Sequence, residues 1–164
     1  MSLLHVEERR PFHPERLHAA FDVLLEGTIR LRGRLWVATQ PDVALWVESA
    51  GGGLQIGHAG PWLAVGDAAA WTDAGPDRRA GAALRWDERF GDREQQLVVL
   101  AHEADPDVLL AALRGALLTD DELDAGPPAW RRWDDPFGSW HADPCEAADP
   151  SALAETEGRP GDTP

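Results

Sequence analysis

Two stretches of the chain repeat apolar residues at the spacing of an α-helix. Between residues 14 and 26 the apolar positions follow an i, i+3, i+4, i+7 order, and Gly27 stands where a helix would end. A second stretch, residues 105–117, repeats the order behind an Asp-Pro start. Such a stripe buries one face of a helix against a core. The pattern predicts two amphipathic helices, with core positions Leu17, Ala20, Phe21, Leu24, Leu109, Ala112, Leu113, Ala116 and Leu117.

Other stretches alternate between apolar and polar residues, which is typical of strands. In residues 28–39 one predicted face carries Ile29, Leu31, Gly33, Leu35 and Val37, and the other carries Arg30, Arg32, Arg34 and Trp36. Residues 43–49 and 53–60 follow at hairpin spacing, and residues 95–103 lead directly into the second helix. Residues 66–83 show no periodicity, so we expect a long excursion between two strands there.

Each helix follows an apolar strand and a polar turn that ends in X-Pro, so the chain contains two similar strand-to-helix units around a central hairpin. This order predicts an α+β fold: a two-layer, ferredoxin-like, antiparallel-rich sheet of about 4–5 strands with two main helices on one face. We expect one domain over residues 1–140. Residues 141–164 are acidic and poor in branched apolar side chains, so we expect a disordered tail.

The overall charge narrows the classes of partner. The chain of 164 residues has 29 acidic and 15 basic residues and a net charge of −14, which argues against nucleic-acid binding. A single cysteine, Cys145, excludes a multi-cysteine zinc site and fits a reducing compartment. The sequence has neither a membrane-spanning apolar run nor a signal peptide, so we expect a soluble, cytoplasmic protein without membrane contact.

Residues 9–21 hold the densest candidate chemistry, because His13 and His18 lie there beside Glu15 and arginines. A spacing of five residues places the two imidazoles about 140° apart around a helix, unlike an i, i+4 ligand pair. Pro14 suits the first helical position, and Phe12 can pack on the helix as a hydrophobic staple. We interpret this cluster as a helix start rather than as a metal or acid-base site.

Three arginines of one strand, Arg30, Arg32 and Arg34, give an acidic protein a local positive surface. With Trp36 and Trp46 beside them, they are the candidate interaction surface, because arginine and tryptophan are enriched where proteins bind one another. The alternative is a solvated sheet face whose arginines pair with Glu48 and other acids. An uncovered sheet face and several tryptophans also favour self-association.

Metal binding and catalysis have weaker sequence support. His58, His102 and Glu103 would suit zinc or cobalt if their two strands were neighbours, although nothing in the spacing requires it. His141 and Cys145 would supply half a site. No serine has a G-x-S-x-G setting, so we name no catalytic residue and expect no enzyme; an unrecognised active site remains the least favoured alternative.

Five motifs in order resemble the C-terminal domain of CobW-type GTPases, a family of GTP-dependent metal chaperones, over residues 4–140. They are RRPFHPERL, IRLRGRLWVATQPD, FGDREQQLVVLAHEADPDVLLAAL, LLTDDEL and WDDPFGSW. Arg32 stands where the family usually has lysine, and Arg34 where it usually has an apolar residue; His102 and its neighbours replace a glycine turn. The lysine-free chain has no G-x-x-x-x-G-K-[ST] loop, and one cysteine cannot form the family's Cys-x-Cys-Cys motif.

The resemblance implies a non-enzymatic accessory or protein-interaction domain, acting with or derived from a GTP-dependent metallochaperone of cobalamin biosynthesis or zinc and cobalt homeostasis. Its expected partner is a CobW-type GTPase domain or a metalloprotein client, and no resident cofactor is expected. The alternative is a free-standing protein that binds zinc or cobalt.

Overall fold

The fold is an open β-sheet with helices, and the computed structural model describes residues 1–50 and 53–138, with only the backbone of Ala50. The strands are β1 (Ser2–Glu8), β2 (Thr28–Leu35), β3 (Val43–Ala50), β4 (Gly53–Pro61) and β5 (Gln95–Ala101). The helices are α1 (Pro14–Leu25), α2 (Ala68–Asp73), α3 (Pro76–Leu84), α4 (Pro106–Ala116), α5 (Asp120–Ala125) and α6 (Pro127–Trp130), with a 3₁₀ turn at Leu63–Val65.

The five strands lie in the order β1-β5-β2-β3-β4, and every neighbouring pair is antiparallel. Strands β1 and β2 are therefore parallel to each other with β5 between them, and α1 connects them, which is the split βαβ arrangement. The prediction of an α+β, antiparallel-rich sheet of 4–5 strands is confirmed.

Helices α1 and α4 cover one face of this sheet and share its core. The core contains Leu4, Val6, Leu31, Leu35, Leu45, Val47, Leu97, Val99 and Ala101 from the strands, with the predicted apolar positions of both helices. Gly33 allows β2 and β5 to approach closely, because a Cβ atom there would lie 1.9 Å from the carbonyl oxygen of Gln96.

The start of α1 agrees with the helix-start interpretation. His13 is the N-cap residue and Pro14 follows at the first helical turn. Phe12 and Leu17 are both fully buried in the same core, as a hydrophobic staple requires. The His13 amide donates to the carbonyl oxygen of Ala116 at 2.8 Å, so the start of α1 is joined to the end of α4.

A second apolar cluster lies beyond the ends of β2 and α4. It consists of Trp36, Ala38, Ala44, Trp62, Leu118, Leu123 and Trp130, with Phe90 and Trp133 against it. The prediction that Trp36 shares the exposed face of the arginines is wrong: its side chain is 1% exposed. Strand β2 ends at Leu35, so the alternation of faces stops one residue before Trp36.

The expected excursion between two strands is confirmed, since residues 62–94 connect β4 to β5, but this connection also contains two helices, α2 and α3, that the sequence does not indicate. Asp67 caps α2 by accepting from the amide of Ala70, and Leu63, Ala74 and Ala82 form a small cluster with Trp71. Each helix buries at most one small residue, so neither required an apolar stripe that the sequence could display.

No helix in the described part of the chain is long and apolar enough to cross a membrane. The predicted tail, residues 141–164, lies outside the described residues, as do His141 and Cys145.

Candidate functional site

The face of the sheet opposite α1 and α4 carries the predicted interaction surface. Strand pairing arranges its side chains in rows across the sheet, since residues paired in register point to the same side. We call this the open face; its described side chains are Leu3, His5, Glu7, Gln96, Val98, Leu100, Arg30, Arg32, Arg34, Trp46, Glu48 and Gln55.

Arg32 and Trp46 form the centre of the open face. The guanidinium carbon of Arg32 lies 5.2 Å from the ring centroid of Trp46. Arg32 is exposed and, among the described residues, has no carboxylate within ion-pair distance. Its charge is therefore held against an aromatic ring and remains available to a partner. An exposed pair of this kind contributes about 0.5–1 kcal/mol by itself.

Apolar side chains border this pair on the β1 side. Val98 lies in register between His5 and Arg32 and is 37% exposed. Leu3, on the edge strand, is 72% exposed. The open face thus combines an aromatic side chain, a cation and apolar contact area within one row and its neighbours.

Arg30 is already paired. Its Nη2 donates to Oε1 of Glu48 at 2.6 Å, and both side chains are well exposed. This hydrogen bond holds the pKa of the Glu48 carboxyl below its usual value. The alternative of a solvated face with Arg–Glu pairing therefore describes Arg30.

Arg34 lies beside α3 and is less available. Its guanidinium carbon is 5.5 Å from the ring centroid of the buried Trp62, and its Nη2 is 3.8 Å from Oε1 of Glu94. Burial lowers the pKa of Arg34, and the nearby Glu94 carboxylate acts in the opposite direction. Of the three predicted arginines, Arg32 is thus the one that faces solvent without a carboxylate at ion-pair distance in the described part of the chain, although Glu48 lies opposite it in register.

The structure does not bring the predicted metal ligands together. Strands β4 and β5 are separated by β2 and β3, about 14 Å across the sheet. His58 pairs with Leu45 near the end of β2, whereas His102 and Glu103 follow β5 beside the start of β2, a further 20 Å or so along the strands. The prediction that His58 could join His102 and Glu103 around one metal is wrong. The described residues contain no group of three or more potential metal ligands.

The two histidines of residues 9–21 contact aromatic side chains near the end of the described chain. The His13 ring stacks on Trp133 at a centroid distance of 4.8 Å, and His18 lies 5.9 Å from Phe137. Burial, with the nearby Arg16 cation, lowers the pKa of His13. Asp135, between these aromatics, accepts from Thr39 Oγ1 at 2.5 Å. Their role is therefore attachment of residues 133–138 to α1 and to the loop after β2.

One charged cluster was not identified from the sequence. Glu94, whose side chain is 4% exposed, lies within 4 Å of three guanidinium groups. The three groups belong to Arg9, Arg34 and Arg85, which are far apart in sequence. The sequence signal for it is the run of acids and arginines in residues 86–94, a composition that also fits ordinary ion pairing within a loop.

Comparisons with known proteins agree with this fold. Residues 1–117 match the model of the cobalamin synthesis protein cobW C-terminal domain. A zinc chaperone of Mycobacterium tuberculosis is 48% identical over 155 residues, which cover 94% of this chain and 38% of that protein. Zinc-regulated GTPase metalloprotein activator 1 of Dictyostelium discoideum is 34% identical over 134 residues, 79% of this chain and 28% of that protein.

The crystal structure of the Zn(II)-bound YjiA GTPase from E. coli has a similar fold, with a TM-score of 0.50 and 16% identity over 71% of this chain and 30% of that one. The chain thus spans well under half the length of these relatives. Since the family model covers more than half of its residues, the chain belongs to the family of CobW C-terminal domains.

Proposed function

We propose that this chain is a protein-interaction domain that serves a GTP-dependent metallochaperone and catalyses no reaction itself. Its partner is a CobW-type GTPase domain, on the same polypeptide or another, or a metalloprotein client that receives the metal. The matching relatives support the metallochaperone setting, because their names describe a zinc chaperone and a zinc-regulated GTPase metalloprotein activator. We expect the protein to act in the cytoplasm.

The open face is the observation that carries this proposal. Helices α1 and α4 cover only the other side of the sheet, and Arg32, Trp46 and Val98 remain available on the open face. A central aromatic–arginine pair beside apolar area is typical of the few residues that dominate a protein interface. A positive centre on a protein of net charge −14 also favours a partner with an acidic patch.

Binding of the chain to a CobW-type GTPase domain from the same source, measured by calorimetry, tests the proposal. Arg32→Glu and Trp46→Ala should each weaken binding at least about 30-fold, the effect of losing a dominant interface side chain. Arg32→Glu would place a carboxylate opposite Glu48, its register partner on β3, so Arg32→Gln, which removes only the charge, is measured beside it and should keep the fold.

The matched control is Arg132→Glu. Arg132 follows α6, is exposed and is not part of the open face. Equal loss with the control would show a general charge effect, and unchanged binding with Arg32→Glu and Trp46→Ala would remove the open face as the docking surface. Arg30→Glu is a poor probe, because it would place two carboxylates together where Arg30 now pairs with Glu48.

The same variants test self-association. If a second copy occupies the open face, the sedimentation coefficient of the purified chain should rise with concentration, and Trp46→Ala should abolish the rise. A concentration-independent monomer would leave the face to a different partner.

Zinc enters this proposal as the cargo of the chaperone rather than as a ligand of this domain. The relatives' names favour zinc over cobalt, and the family model's description refers to cobalamin synthesis. The described residues offer no cluster of ligands, and His58 and His102 lie at opposite ends of the sheet. Calorimetry with Zn²⁺ and Co²⁺ tests the alternative of a free-standing metal-binding protein, which would require a Kd well below about 1 mM.

A further inference from the structure

We propose that the groove beside Glu94 is a second binding site, one that takes a small organic molecule through its phosphate or carboxylate group. The groove has a volume of about 900 Å³ and lies between the end of β1, the end of α3 and the end of α4. This volume falls within the usual range for ligand pockets of about 300–1,000 Å³. The site is separate from the metal cargo and from the Arg32–Trp46 centre of the open face.

Two arginines of the groove are fixed in position by the protein. The Nε atom of Arg85 lies 3.1 Å from Oε1 of Glu94, and Nη1 of Arg9 lies 3.6 Å from Oε2. The same Nη1 of Arg9 donates to the carbonyl oxygen of Arg85 at 2.6 Å. The side chains of Arg9 and Arg85 remain 39% and 40% exposed, so each guanidinium still has N–H groups available on the groove side.

The guanidinium groups at this point share one close carboxylate. One buried carboxylate faces three guanidinium groups, because Arg34 approaches Glu94 from the open face. The other ionic side chains that line the groove are also paired: Arg114 with Glu8 inside the groove, and Arg10 with Asp120 and Glu7 with His5 outside it. Asp87 and Asp92 act on Arg9 and Arg34 from beyond ion-pair distance. Arg9 and Arg85 therefore share Glu94 as their one close carboxylate, and a bound oxyanion would give both a further close anion.

The walls of the groove indicate the chemistry of the rest of the ligand, beyond its phosphate or carboxylate group. Phe90, Leu117 and Leu118 line the same groove and supply apolar surface. A single phosphate ion would leave most of about 900 Å³ unfilled, whereas an organic acid or organic phosphate would place its anionic end on Arg9 and Arg85 and its body on Phe90. Glu94 would act as a positioning residue, since it holds both guanidinium groups without contacting the ligand.

Titration of the whole chain with pyrophosphate and with citrate at low ionic strength tests the proposal by calorimetry and by the arginine Nε–H signals in NMR. We expect binding of at least one probe and shifts of the Arg9 and Arg85 signals. Binding of pyrophosphate alone would assign a phosphate ligand, and binding of citrate alone a carboxylate ligand. Arg9→Gln and Arg85→Gln should each weaken binding about 10-fold or more, the value of a charge-assisted hydrogen bond.

Arg79→Gln is the matched control. Arg79 lies in α3, the helix that ends just before Arg85, is exposed and does not line the groove. Arg85→Lys keeps the charge next to Glu94 but loses the planar fork, so binding should weaken while thermal stability is retained. The proposal would be overturned if neither probe bound up to about 10 mM, or if Arg79→Gln weakened binding as much as Arg9→Gln and Arg85→Gln. Arg32 is untouched by these variants, so this result is independent of the GTPase-docking test.

Discussion

Gln95 should be the polar residue whose replacement costs this domain most stability. The side chain is fully buried at the start of β5 and joins three backbone groups. Its Oε1 accepts from the Trp36 amide at 2.8 Å, and its Nε2 donates to the carbonyl oxygens of Arg10 at 2.8 Å and Trp36 at 2.7 Å. It therefore connects the ends of β1 and β2 where both apolar clusters meet.

The cost of Gln95→Leu follows from what these backbone groups retain. The Trp36 carbonyl still accepts from the Phe12 amide at 2.9 Å, so it remains satisfied. The Trp36 N–H loses its acceptor in a buried position, and the Arg10 carbonyl, only partly buried, loses its donor. A buried polar group without a hydrogen-bond partner costs about 1–3 kcal/mol. We therefore expect the free energy of unfolding to fall by about 3 kcal/mol and Tm to fall by about 6–12 °C.

Urea unfolding followed by tryptophan fluorescence measures this change, and the m value should stay constant if only stability changes. The control is Gln55→Leu, an exposed glutamine on β4, for which we expect a change within about 0.5 kcal/mol. A loss below about 1 kcal/mol for Gln95→Leu would refute the reasoning, since it would mean that the backbone groups find other partners.

Two further predictions concern acid stability and the attachment of the last described segment. The pKa of Glu122 is lowered from 4.5 to about 2, chiefly by the hydrogen bond from Arg16. The ionised Glu122 therefore stabilises the folded state fully above about pH 4.5, and this stabilisation is lost as the pH falls towards 2. In a pH series of urea unfolding curves, acidification should lower the free energy of unfolding of Glu122→Gln by about 1–2 kcal/mol less than that of the unsubstituted protein, a value that allows for partial solvent exposure. An unchanged pH profile would contradict this. His13→Ala removes the ring stacked on Trp133 and should cost about 1 kcal/mol, whereas the exposed His5→Ala should change the unfolding free energy little.

Burial patterns along single elements could be predicted from the sequence. Leu17, Phe21 and Leu24 repeat at helical spacing because one side of α1 faces the core, and Arg30, Arg32 and Arg34 alternate with Leu31 and Leu35 because β2 has one covered face. A periodic pattern is local, so the chain itself displays it.

Features that depend on how elements meet could not be predicted in this way. The alternation places Trp36 on the wrong face because the sequence does not show that β2 ends at the residue before it. His58 and His102 end up at opposite ends of the sheet because the order of the strands is set by packing and not by spacing. The convergence of Arg9, Arg34 and Arg85 on Glu94 likewise joins residues that lie up to 85 positions apart.

The second apolar cluster lies partly beyond the end of the family-model match. The family match ends at residue 117, yet Leu118, Leu123 and Trp130 pack on Trp36 and Trp62. A protein trimmed at that boundary would present two large indole rings to water and invite aggregation. We therefore expect a shortened version meant for interaction or calorimetric work to fold only if it retains α5 and α6.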